Sequence, residues 1–86
     1  MKKSTKAVYT ITTTYGLNRD MIFTIPSGSH RGYIEAVNTR TGEYHQIPYK
    51  NDVYSDFIYT CEKFIKAHFG KHLIHFVQKS YQKGEL

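Results

Sequence analysis

Apolar and polar residues alternate one by one over residues 6–15, KAVYTITTTY, placing Ala7, Tyr9, Ile11, Thr13 and Tyr15 on one face and Val8, Thr10, Thr12 and Thr14 on the other. A period of two, rich in β-branched and aromatic side chains, marks a strand with one covered face. Residues 21–25, MIFTI, make a second such run, closed by Pro26, which has no amide to donate to a ladder. Between the two, Gly16, Leu17, Asn18, Arg19 and Asp20 supply turn chemistry, so the pair predicts a hairpin. Residues 33–38 and 43–49 predict a second hairpin, around a loop in which Gly42 suits a left-handed position. Pro48 confines the last of these strands to a sheet edge or ends it.

The period then changes. Over residues 52–70, DVYSDFIYTCEKFIKAHFG, a step of about 100° per residue puts Tyr54, Phe57, Ile58, Cys61, Ile65, His68 and Phe69 on one face, with Lys63 and Lys66 opposite. Asn51 or Asp52 can accept from the first free amides, and Gly70 can take the left-handed conformation that stops a helix. Residues 71–81, KHLIHFVQKSY, admit two readings. A continued helix keeps His72 and Phe76 on the apolar face but turns Ile74 and Val77 outward; their β-branching and the Gly70 stop favour a strand. The fold expected is α+β: an antiparallel sheet of four strands from two hairpins, one long amphipathic helix packed on one face, and a fifth C-terminal strand as the favoured reading of 71–80. The 86 residues are read as a single domain, with mobile ends over 1–6 and 81–86.

Charge adds a hint about partners. Twelve Lys and Arg against seven Asp and Glu leave +5, and the pI near 9.4 lies above the value of about 9 that raises nucleic-acid binding. The excess is evenly distributed, six basic groups in residues 1–49 and six in 50–86, so neither half is a basic arm. A lone cysteine on the apolar helix face predicts a small buried hydrophobe and a reducing, cytoplasmic setting. No run has the length of a membrane-spanning helix, and the charged start lacks the apolar block of a signal peptide; no membrane partner is expected.

Candidate chemistry is sparse. Cys61, His68 and His72 would share a face of an unbroken helix, and zinc takes these ligand types. Gly70 interrupts that helix, so the expectation is no metal and no cofactor. A small basic ribonuclease would need an acid or base and cations for a phosphorane, and His30, His45, Arg31 and Arg40 sit near loops. Those residue types are too common to carry an enzyme assignment. The loop Ser27-Gly28-Ser29-His30-Arg31-Gly32 lacks the spacing of a phosphate-binding P-loop, and it leaves Arg31 as a candidate contact.

Eight Tyr and five Phe without a Trp are more than a core of this size absorbs, so some rings face solvent. Tyr beside Lys or Arg serves base stacking, and Tyr equally anchors protein interfaces. Two functions follow. The first is a non-enzymatic binder of RNA or DNA that contacts phosphates through Lys2, Lys3, Arg31, Arg40 and Lys50. The alternative is a protein-binding inhibitor or accessory module that blocks a larger partner through Tyr33, Tyr44 and Tyr49. Oligomeric state is not expressed in these patterns.

Overall fold

In the computed structural model, which describes residues 5–15, 18–25, 33–48 and 54–82, with helix side chains from Phe57 onward, the chain runs β1 (Thr5–Thr13), β2 (Asn18–Ile25), β3 (Tyr33–Asn38), β4 (Tyr44–Pro48), α1 (Tyr54–Phe69), a 3-10 turn (Gly70–His72) and β5 (Leu73–Gln82). The strands form one antiparallel five-stranded sheet in the order β4-β3-β2-β1-β5. The fold is α+β, with residues 73–82 as the fifth strand. β5 returns to lie beside β1, so β1, β2 and β3 are interior strands, and the proline-bearing β4 is an edge.

The alternation in β1 sorts its side chains as its sequence predicts. Ala7, Tyr9, Ile11 and Thr13 are buried, and Val8, Thr10 and Thr12 are half-buried on the opposite face. Tyr15 departs from the pattern: β1 ends at Thr13, and Tyr15 is an exposed turn residue. The register carries the covered face into β2 and β3, where Met21, Phe23, Ile34 and Ala36 are buried, and into β4 at Ile47. The second strand begins three residues earlier than its apolar run suggests. Asn18, Arg19 and Asp20 pair with Thr12, Ile11 and Thr10, and the hydroxyls of Thr10 and Thr12 donate to Asp20 Oδ1 at 2.8 Å and Asn18 Oδ1 at 2.9 Å. Polar residues that suit a turn are thus kept in the ladder by a partner strand that hydrogen-bonds their side chains.

The inner margins of the expected mobile ends also belong to the sheet. Thr5 and Lys6 pair with Ile25 and Thr24, Lys6 and Ala7 pair with Gln82 and Tyr81, and Tyr81 lies against Phe57 at 6.2 Å between ring centroids.

Helix α1 crosses the covered face. Phe57, Cys61 and Ile65 are sealed against the sheet, while Ile58, Phe64 and Phe69 are partly buried around them. Phe64 lies about 20° from Phe57 on a helical projection and meets Phe23 edge-on at 6.1 Å, so it belongs to the apolar face from which the sequence reading omits it. His68 has the correct angle for that face and is exposed nonetheless. It falls in the last turn beside His45 of edge strand β4, at a ring distance of 4.8 Å, past the sheet's covered interior. Gly70, at φ 57°, takes the left-handed conformation that ends α1.

Gly42, at φ 78°, closes the β3–β4 loop by donating its amide to the Asn38 carbonyl at 2.7 Å. Asn38 is buried and polar, and its Oδ1 accepts from the amides of Arg40 at 3.0 Å and Thr41 at 3.4 Å. That side chain substitutes for the ladder partner the loop has lost.

Candidate functional site

Of the eight residues put forward as contacts, Lys2, Lys3, Arg31, Tyr49 and Lys50 lie outside the described residues, as do His30 and the capping candidates Asn51 and Asp52. Tyr33, Arg40 and Tyr44 can be placed. Tyr33 and Tyr44 come to the same side of the sheet, the one α1 leaves open, because each alternates with a residue that points to the core. Arg40 is exposed in the β3–β4 loop at one end of the sheet.

The open face has an internal order that no single strand reveals. Val8 pairs with Ile22, Ile22 with Val37 and Val37 with Tyr44, so a row of apolar residues crosses four strands. Val8, Ile22 and Val37 are half-buried by their neighbours, and Tyr44 is 49% exposed at the end of the row. A second row, Lys6, Thr24, Glu35 and Gln46, runs beside it. On its other side Val77, also exposed, pairs with Thr10. The carboxylates on this face are engaged locally. Tyr44 donates its phenol to Glu35 Oε2 at 2.7 Å and accepts from Gln46 at 3.2 Å. The Glu35 bond, which the phenolate would lose, holds the Tyr44 pKa above its ordinary value. Asp20 accepts from Thr10 and from Lys79 Nζ at 3.1 Å, and these two partners, the hydroxyl first, hold its carboxyl below the usual carboxylate range.

A second region lies at the end of the molecule where the β1–β2 turn, the β3–β4 loop and the end of α1 meet. The structure separates the three residues Cys61, His68 and His72 that an unbroken helix would align. Cys61 is fully enclosed, and burial, with Glu62 adding to it, pushes its thiol pKa far upward. His72 sits after the Gly70 stop, with ring nitrogens 3.3 Å from Thr14 Oγ1 and 3.3 Å from Tyr15 Oη. His68 turns instead to His45, one of the histidines a ribonuclease could use, and Glu43 lies beside that pair. Residue spacing could not have exposed this grouping, because β4 and the end of α1 become neighbours only when the helix lies across the sheet. Arg19 closes the same end, its guanidinium 5.9 Å from the centre of the Phe69 ring.

A cleft of about 300 Å³ runs between β4 and the outer side of α1, lined by Ile47, Tyr59, Lys63, Phe64 and Ala67 among others. Lys63 lies 5.9 Å from the Tyr59 ring centre at its rim. Among the described residues no helix is long and apolar enough to cross a membrane. No family model matches this chain, and neither curated proteins nor solved structures give a match.

Proposed function

We infer that this chain is a non-enzymatic protein-binding module that docks a larger protein on the uncovered face of its sheet. The observation that carries this reading is the cross-strand row Val8, Ile22, Val37 and Tyr44, with Tyr33 on the same face and Val77 beside it. Apolar side chains on an already ordered surface lose little conformational entropy when covered, and a tyrosine at the margin supplies a rigid anchor with a polar tip. Among the described residues, the charge on this face also favours a protein over a polyanion. Lys6 and Lys79 stand against Asp20 and Glu35, with Lys79 held by Asp20. A phosphate backbone draws its affinity from cations that release counterions, and a balanced surface supplies few.

The competing reading, RNA or DNA binding, draws support from the net charge of +5 and from lysines away from this face, Lys63 and Lys66 on the outer side of α1. The enclosed thiol of Cys61 supports a reducing, cytoplasmic place of work.

The test uses wild type and Val37→Lys, a substitution on a half-exposed strand position that leaves the covered core intact. Both proteins are used to capture partners from nuclease-treated lysate, and any captured protein is identified, purified and recombined with them. The reading expects a stoichiometric complex that Val37→Lys weakens at least about tenfold, the scale of one lost contact worth 1.4 kcal/mol. It fails if mixed-sequence RNA or DNA binds with a Kd that weakens steeply between 50 and 200 mM salt while Val37→Lys binds as wild type does.

A further inference from the structure

Two histidines and a carboxylate from distant parts of the chain converge where the last turn of α1 overhangs edge strand β4. Glu43 Oε2 lies 3.1 Å from His45 Nε2, and one ligand-capable atom from each of Glu43, His45 and His68 lies within 4.8 Å of the other two. The close approach of Glu43 and His45 is not a hydrogen bond: His45 Nε2 is shut off from solvent and makes none. A carboxylate oxygen and a buried imidazole nitrogen therefore lie at contact distance without a hydrogen bond between them.

The backbone, more than flexible side chains, enforces this meeting. His45 is in register with Ala36 of β3. Glu43 is fixed on both sides, its carbonyl accepting from the Asn38 amide at 2.9 Å and its own amide donating to Thr41 Oγ1 at 3.2 Å. Phe64 sets the two rings: His68 stacks on it at 5.1 Å with 13° between planes, and His45 leans on it at 5.3 Å. The imidazoles then stand 4.8 Å apart and 67° from coplanar, edge to face.

We propose that Glu43, His45 and His68 bind one divalent transition-metal ion, zinc by preference, which clasps the end of α1 to the β4 edge. Two imidazoles with one carboxylate suit zinc and its neighbours in the first row, whereas calcium and magnesium take oxygen donors throughout. Zinc holds such donors at about 2.0–2.2 Å, so the cluster has to contract on binding. Glu43 is half-exposed and His68 exposed, which lets the ion enter from solvent without opening the core. The carboxylate and the negative end of the helix dipole both favour a cation at this point. Three protein donors leave a coordination position for water. Cys61, enclosed on the core side of α1, is no part of the site.

Titration of zinc sulfate into the tag-free, metal-free full-length protein, followed by calorimetry and thermal melting, tests the site. The expected result is one ion per chain and a higher melting temperature. His68→Ala should weaken binding at least about tenfold, since loss of even a residue that only hydrogen-bonds a ligand costs about 10–100-fold, and should remove the thermal gain while leaving the metal-free melt as in wild type. Glu43→Gln should weaken binding less, Cys61→Ser and His72→Ala should not change it, and imidazole resonances of His45 and His68 should shift together on adding zinc. Absence of binding, equal binding by His68→Ala, or loss of binding in Cys61→Ser that is still folded by circular dichroism would each overturn the proposal.

Discussion

The two faces of the sheet are made from the same strands and fare differently. On one, Ala7, Tyr9, Ile11, Met21, Phe23, Ile34 and Ala36 are at most 1% exposed; on the other, Val8, Ile22 and Val37, one residue away along the same backbones, remain half-buried. The difference is supplied by a 16-residue helix, which covers one side of a five-stranded sheet. Removing apolar surface from water is worth about 25 cal/mol per Å², so stability is concentrated under α1. The open face is ordered by its ladder, and among the described residues no element covers it. It is the side on which apolar residues keep part of their surface in water, so a truncation there costs folding less than one under α1.

That contrast is easiest to break from the covered side. Phe57→Ala should destabilise the protein by about 3–5 kcal/mol and Ile65→Ala by about 2–5 kcal/mol, because each removes a large side chain from a site that cannot refill. Guanidinium denaturation checks both. Cys61→Ser comes next, at about 1–3 kcal/mol, since a hydroxyl would replace a thiol in a sealed apolar position. In the native protein the same thiol should label slowly, and its rate should rise with denaturant as the core opens. On the open face, Ile22→Thr should cost no more than about 1 kcal/mol, as a β-branched residue is kept and little covered area is lost. A cost for Ile22→Thr as large as that for Ile65→Ala would mean that this face is covered in solution, and the contrast would collapse.

A further small effect concerns Asp20. Its carboxyl is held low in the folded state, by Thr10 and then Lys79. It therefore contributes stability that is fully present above the unfolded value of about 3.9 and is lost as pH falls through the lower folded value. Because the pair is partly exposed, the contribution should not exceed about 1 kcal/mol. Comparing acid unfolding of wild type and Asp20→Asn measures it, and an identical acid limb in the two would show that the carboxylate adds nothing. Lys66→Ala, on the outer side of α1, should stay within about 0.5 kcal/mol.

Much of the covered side was legible because it depends on local periods. Strict alternation in β1 identifies the residues that end in the core, and the helical period identifies Phe57, Cys61 and Ile65. Gly42 and Gly70 stand where a positive φ is needed, and Pro48 falls in an edge strand. The exceptions are also physical. Tyr15 follows the alternation but lies past the last strand residue. Asn18 to Asp20 look like a turn, yet the threonines opposite retain them in the ladder.

The candidate sites were less legible, because each is assembled across strands. Periodicity of two and of 3.6 determined which residues face inward, since that follows from backbone geometry within one element. Which strands become neighbours was decided by long-range pairing. The order β4-β3-β2-β1-β5 aligns Val8, Ile22, Val37 and Tyr44 into one row, and the crossing of α1 over the β4 edge brings His68 to His45 and Glu43. No local period contains that information, because it comes from how a single helix must lie to cover the apolar face of a twisted sheet.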